Sequence, residues 1–424
     1  MSELLITNLD EIATPTGATA RVGTAQGEIV RHREAEVFVR DGRIVFAGPR
    51  AERQRALGGL AGVERWDAGG GTVVPGFVDA HTHLPWAGSR ESEFALRLAG
   101  RSYLDIAAAG GGILSTVRST RFAEEDTLVE ATLGRLDRML AHGTTTAEAK
   151  SGYGLDRDNE IKQLRAIRRA DARHAIDLVP TLLAAHEFPP EYRDDRDGYV
   201  DLVVNEIIPT VAGMGLARFN DVFCEQGVYD VDQTRRVLEA GREHGLVPRL
   251  HADEFVDSGG ARLAAELGAA SADHVAAVND EAIEAMASSG VLAVLLPAVN
   301  FYLMKEPWAP ARRFVEAGVG VVLATDCNPG SSHTESLPFI LQLAIFHLRM
   351  TVEEALTAVT LNAAACLGVA DRVGSIEPGK QADLTILDMP NLLHLGYHIG
   401  INPVRAVFKA GRPVLPVSED GHAR

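Results

Sequence analysis

The chain has 424 residues, enough for one large domain with a smaller companion. Apolar residues make up 46% and charged residues 23%, as in an ordinary globular protein, while the net charge of -17 excludes nucleic acid and anionic membrane as partners, since both need basic surface. A small anionic substrate stays open, because it needs only one well-placed cation.

The first residues, MSELLITNLDEIATP, are acidic early and lack the apolar core of a signal peptide. No apolar run approaches the ~20 residues of a membrane span. Residues 36–48, EVFVRDGRIVFAG, read as two alternating strands turned at Asp41-Gly42. Next comes VVPGFVDAHTHLPWAGSR (73–90), a short strand after Pro75-Gly76 that delivers His81 and His83 to one side. Strand-like runs then end in TTAEAKSG (145–152), VPTLLAAHEF (179–188), DVFCEQG (221–227), VPRLHADEF (247–255), SADHV (271–275), VLLPAVN (294–300) and VVLATDCNPG (321–330). The stretch VLAVLLPAV (291–299) as a whole reads as a buried strand.

Helical patterns fall between these runs. In 123–142, Leu128, Leu133, Leu136 and Leu140 recur near the helical period, with Gly143 placed as a cap. In 351–367, Thr351 and Glu354 have capping-box spacing. Eight strands alternating with helices predict a (β/α)8 barrel over 76–374, with a doubly wound open sheet as the alternative. The short strands near both ends, including GSIEPGKQADLTILD (374–388) and VRAVFKAGRPVLP (404–416), predict one small β-sandwich-like domain from 1–75 and 375–424. Cys224, Cys327 and Cys366 are odd in number, far apart and without metal-ligand spacing, which suits free thiols in a reducing cytoplasm.

In such a barrel, the C-terminal strand ends meet at one mouth. Those ends carry His81, His83, Lys150, Tyr153, His186, His251, Glu254, His274 and Asp326. A lone histidine there is ordinarily just a hydrogen-bonded residue, but a whole set points to a metal. Three imidazoles and a carboxylate (His81, His83, His251, Asp326) suit zinc or ferrous iron better than magnesium or calcium. Such an ion brings the pKa of a bound water from ~15.7 toward ~7, and Asp326 is placed to take that water's proton. The fourth strand end, DVFCEQG, has no lysine to bridge a second ion, so one ion per subunit is expected. Lys150 reads as an ion pair near the mouth, and Glu225 is a weak candidate bridge. Arg90 offers a planar fork for a carboxylate, against the ordinary alternative of an ion pair with Glu91 or Glu93.

The PGFVDAHTH start and the TLNAAACLGVADRVGSIEPGKQADLTILD tail resemble the amidohydrolase superfamily over nearly the whole chain. Narrower blocks are AGSRESEFALRLAGRSYLDIAAAGGGILSTVRSTR (87–121), EAKSGYGLDRDNEIKQLR (148–165), HADEF (251–255), TDCNPGSS (325–332) and YHIGINPV (397–404). They are similar to the member that opens the ring of 4-imidazolone-5-propanoate in histidine breakdown, giving N-formimidoyl-L-glutamate. The resemblance implies metal ligands His81, His83, His251 and Asp326, and substrate contacts from Arg90, Tyr153, His186, Glu254, Asn328, Gly330 and Ser331. Catalytic work would fall to Glu254, His274 and Asp326, with the principal base left open. It also implies a homodimer. A deaminase acting on a heterocycle is the rival activity, separable by ammonia release. A scaffold without chemistry is disfavoured because every ligand position is filled.

Overall fold

Short apolar runs separated by amphipathic helices can bury both faces only as a parallel sheet wrapped in helices. The computed structural model, which describes residues 2–101 and 111–415, has that form. Phe77–Asp79, Thr144–Lys150, Asp177–Ala185, Phe219–Cys224, Val247–Ala252, Ser271–His274, Leu292–Leu295 and Val321–Leu323 pair in sequence order, all parallel. The eighth returns to the first through a parallel bridge between Thr82 and Cys327, and the His83 N–H donates to the Cys327 carbonyl at 3.0 Å. These are the eight strands that the sequence predicts, in a (β/α)8 barrel.

The strands from the two ends of the chain share a second, mixed sheet. Glu3–Thr14 lies near its middle, pairing Val30–Arg40 on one side and Glu64–Asp67 and Thr72–Pro75 on the other. Leu384–Leu387 adds to Thr72–Pro75, and Val404–Lys409 and Arg412–Leu415 follow. Leu4, Ile6, Val37, Val73, Ile386 and Phe408 pack into a core of its own. Asp41 and Gly42 both have positive φ (48° and 77°), the backbone of the expected hairpin turn. This sheet docks at the N-terminal end of the barrel. There Thr385 donates to the Gly143 carbonyl at 2.9 Å, and a Cβ on Gly143 would meet Thr385 at 2.8 Å. The opposite end stays open for the strand-end residues.

Helix Glu125–Ala141 and the Thr351–Glu354 capping box form as expected. Two expectations need correction. The run 291–299 is not one strand: it stops at Leu295, and Pro297 opens helix Pro297–Leu303. Proline cannot donate to a strand ladder but fits the first helical turn. The stretch 351–367 is two helices, Val352–Ala358 and Leu361–Cys366, broken at Thr360 (φ -128°, ψ -93°). Residues 102–110 of the glycine-containing block, and everything after Leu415, lie outside the described residues. Among the described residues, no helix is long and apolar enough to cross a membrane.

Candidate metal centre and substrate cavity

Alternation along the first strand continues past Asp79, so His81 and His83 face the same way, as the sequence suggests. Asp326 follows the eighth strand, and its N–H donates to the His81 carbonyl at 3.0 Å, fixing the two strand ends together. The two imidazoles reach Asp326 Oδ1 through Nε2, at 3.3 Å from His81 and 3.2 Å from His83. His251, from the fifth strand, brings its Nε2 to 3.5 Å from that of His83. Four ligands ~2.0–2.1 Å from a tetrahedral ion are separated by roughly 3.3 Å, so this spacing is the one an ion requires.

The tautomers agree. His81 Nδ1 lies 2.6 Å from Asp273 Oδ2, and His251 Nδ1 lies 3.1 Å from Asp221 Oδ1. Each Nδ1 then carries the proton, leaving the Nε2 lone pair toward the cluster. His81 Nε2 and Asp326 Oδ1 are buried with no hydrogen-bond partner, a costly arrangement that a bound cation relieves. Burial holds His81 and His83 well below the ordinary imidazole range, which keeps them neutral as ligands must be. The donor set fits a borderline-soft divalent ion.

Under the ligands lies a group of fully buried charges. Lys150 Nζ donates to Glu148 Oε1 (2.8 Å) and Asp221 Oδ2 (2.7 Å), and Arg249 reaches Glu148 Oε1 (2.9 Å) and Asp273 Oδ2 (2.9 Å). Burial opposes ionisation of Asp221, yet His251 and Lys150 hold its carboxyl well below the usual range. Burial likewise opposes charge on Lys150, but Asp221 and Glu148 raise its pKa overall. Lys150 is thus the ion pair expected: it steadies Asp221, which orients His251, while Arg249 steadies Asp273, which orients His81. Asp79, whose carboxylate accepts from the Thr325 hydroxyl at 2.6 Å, is pushed up to about 7 by burial.

Above the ligands opens a cavity of about 710 Å³. His83, His251, Glu254, His274, Asp326, Arg90, Tyr153, His186, Asn328, Gly330 and Ser331 all line it, while His81 is sealed beneath. His274 Nε2 is 3.7 Å from Glu254 Oε2. Burial takes His274 down to about 3 and, with Asp326 adding repulsion, raises the Glu254 carboxyl well above its usual range. One is a neutral imidazole near neutral pH, the other a carboxyl inclined to keep its proton. His186 donates from Nδ1 to the Gly152 carbonyl (3.0 Å) and stacks on His83 at 5.0 Å. Left-handed backbone at Asp253, His274, Val275 and Asp326 gathers around the mouth, as strained residues do at working sites.

Part of the cavity wall comes from loops. Asn328 Oδ1 accepts from the N–H groups of Gly330 and Ser331, both at 2.8 Å, and its Nδ2 donates to the Asp326 carbonyl at 2.7 Å. Arg90 does pair with Glu93, at 2.8 Å, but both side chains are only 11% exposed and both line the cavity, so the pair is not a surface one. Glu225 accepts from the Phe255 N–H (2.9 Å) and the Ser258 hydroxyl (2.8 Å), a loop anchor rather than a bridge between ions.

Sequence reasoning missed Glu148, Asp221, Arg249 and Asp273. The signal was present: charged residues inside apolar strand runs must be paired if the strands are buried. Arg249 is the register partner of Asp221, and His251 that of Asp273.

The Amidohydrolase family model matches residues 107–415. The imidazolonepropionase of Geobacillus kaustophilus (strain HTA426) is 49% identical, with 98% of each chain covered. That of Shouchella clausii (strain KSM-K16) is 50% identical over 98% of this chain and 94% of its own. Among solved structures, an adenosine deaminase from Xanthomonas campestris with bound zinc superposes with a TM-score of 0.73, covering 97% of this chain and 92% of its own. At 21% identity, that likeness speaks for the fold alone.

Proposed function

The chain belongs to the imidazolonepropionase family of amidohydrolases, and on that premise we propose how its cavity works. The protein is a metal-dependent hydrolase that opens the cyclic amide of 4-imidazolone-5-propanoate to N-formimidoyl-L-glutamate, a step of histidine degradation. His81, His83, His251 and Asp326 hold one ion, zinc or iron, a reading supported by their converging Nε2 and Oδ1 atoms. That convergence is the observation that carries the proposal. When bound, the ion supplies Lewis acidity, making hydroxide available near pH 7 and polarising the amide carbonyl.

The protein's own groups do the rest. Arg90 takes the propanoate through parallel charge-assisted hydrogen bonds, with Tyr153, His186 and the Asn328–Ser331 loop around it. That sets the ring carbonyl over the cluster. His274, a neutral imidazole, donates to the carbonyl oxygen as negative charge builds there. Asp326 accepts the proton of the attacking water. As the new carbon–oxygen bond forms and the carbon–nitrogen bond breaks, the Glu254 carboxyl delivers a proton to the departing ring nitrogen. The acid so formed ends as a carboxylate, its proton passing to solvent, and the proton held by Asp326 returns to Glu254, so both groups regain their starting states.

We take the active unit to be a homodimer in the cytoplasm, with 1–75 and 375–424 as the small domain. The exposed apolar side chains of Phe346, Leu393, Tyr397 and Ile399 and three free cysteines support this. Light scattering after size exclusion tests the dimer. The activity is tested by incubating metal-loaded protein with the imidazolone and identifying the product by NMR. Formimidoylglutamate is expected; ammonia release with the ring intact would favour a deaminase.

A further inference from the structure

A guanidinium has more than one edge to offer. One edge pairs Nε with a terminal nitrogen, and the end-on edge pairs the two terminal nitrogens. In Arg90 the first edge is taken: Nε (3.0 Å) and Nη2 (2.8 Å) both donate to Glu93 Oε2. The end-on edge finishes in Nη1, which lies against the cavity loop so closely that a Cβ on Gly330 would fall 2.0 Å from it. The other oxygen of Glu93, Oε1, accepts the Gly112 N–H at 3.0 Å, at the start of helix Ile113–Phe122. Glu93 is thereby gripped from both sides. Its own N–H donates to the Arg90 carbonyl at 3.0 Å, so the two residues are locked through backbone and side chain alike.

We propose that Glu93 is a positioning residue for substrate specificity: it occupies one edge of Arg90 and so fixes the other toward the substrate carboxylate. Arg90 alone hangs on a flexible stem, whose free rotation would disperse a two-point contact. Bound on both oxygens, Glu93 removes that freedom before the substrate arrives. The inference rests on the reading of Arg90 as the carboxylate anchor. The Glu93 carboxylate makes its hydrogen bonds to Arg90 and the Gly112 N–H and none to the ligand cluster, so its loss should act on substrate capture and not on the chemical step.

The test uses metal-loaded, full-length protein and steady-state kinetics with the imidazolone propanoate. Glu93→Gln is expected to raise KM on the order of tenfold while kcat stays within about twofold. In an Arg90→Ala background the same substitution should add nothing, because the group it positions is gone. Glu93→Asp, which keeps the charge but shortens the reach, should fall between and serves if Glu93→Gln does not fold. An unchanged KM in Glu93→Gln, with only a lowered thermal midpoint, would reduce the pair to a helix-start salt bridge. A Glu93→Gln effect that persists undiminished without Arg90 would also overturn the inference. If Arg90→Ala itself leaves KM unchanged, the anchor reading fails and takes Glu93 with it. If Arg90→Ala raises KM and Glu93→Gln does not, the positioning role alone fails.

Discussion

At the floor of the cavity each ligand sits at or just beyond a barrel strand end, and two of the imidazoles are backed by a buried carboxylate that is itself held by a buried cation. At the rim, the groups proposed to meet the substrate's acid come from loops and a helix start, and they lean on one another: Arg90 on Glu93, Ser331 on Asn328. The floor must hold donor atoms within tenths of an ångström against their mutual repulsion, which calls for strand-borne side chains packed on all sides. The rim must admit and release a charged molecule, and there Arg90 and Ser331 are only partly buried, each held by a buried partner, Glu93 and Asn328. Floor substitutions should therefore strike metal retention and the chemical step, and rim substitutions KM.

The sharpest division comes from Asp326→Ala. It removes the one carboxylate among the ligands and leaves three imidazoles around an unbalanced charge. Turnover should fall to background and metal content should drop, both read on the same sample by product assay and elemental analysis. Retained metal with normal turnover would dissolve the distinction between floor and rim. Lys150→Met probes the layer below. It unpairs Asp221, and metal affinity measured by chelator competition should weaken by ~10–100-fold, the usual cost of losing an outer partner. At the rim, Arg90→Ala should leave metal affinity alone and raise KM by about a hundredfold or more, because two charge-assisted hydrogen bonds are lost and each contributes ~1.5–3 kcal/mol.

A pH measurement sharpens the same contrast. Burial lowers the pKa of His81, His83 and His186 well below the ordinary value of 6.5, and takes His274 to about 3. In the folded, metal-free protein these imidazoles stay neutral where the unfolded chain would bind protons. Their contribution to stability is thus complete above 6.5 and is lost as pH falls from there toward the folded values. Each such proton steepens the decline by about 1.4 kcal/mol per pH unit. Asp79, pushed up to about 7, and Glu254, raised by burial, take up protons in the folded state over the same range and oppose this loss, so the test is a difference between proteins. In urea unfolding of metal-free protein, His274→Asn should lose less stability between pH 7 and pH 5 than the parent. An identical change in the two proteins would mean that His274 is solvated rather than sealed.

How much of this was written in the chain differs between the two regions. The clustering of His81, His83, His251 and Asp326 was legible because a histidine or aspartate at a strand end keeps its place whatever the loops do. Arg90 was legible as a fork, but its pairing with Glu93 read only as the ordinary alternative, since sequence spacing cannot tell a surface pair from one lining a cavity. Lys150 was read as an ion pair, but its partner Asp221 and neighbouring Arg249 escaped notice because strand register brings them together, which neighbouring residues in sequence do not reveal. The helix at Pro297 was hidden inside an apolar run that suits a buried strand or a buried helix equally.

The smallest expected effect belongs to Ser331→Ala. Ser331 Oγ receives a hydrogen bond from Asn328 Nδ2 at 2.9 Å, while the Asn328 oxygen still holds the N–H groups of Gly330 and Ser331. The loop should therefore keep its shape without the hydroxyl, and only that one polar group is lost from the cavity wall. A neutral hydrogen bond contributes a net ~0.5–1.5 kcal/mol, so KM should rise roughly two- to tenfold with kcat and metal content unchanged. Asn328→Ala removes the hub itself and should raise KM further, since its contacts to the Asp326 carbonyl, the Gly330 and Ser331 N–H groups and Ser331 Oγ all go with it. If Ser331→Ala instead lowered kcat with KM unmoved, the hydroxyl would be engaging the reacting ring, and the rim would extend deeper toward the ion than its loop origin suggests.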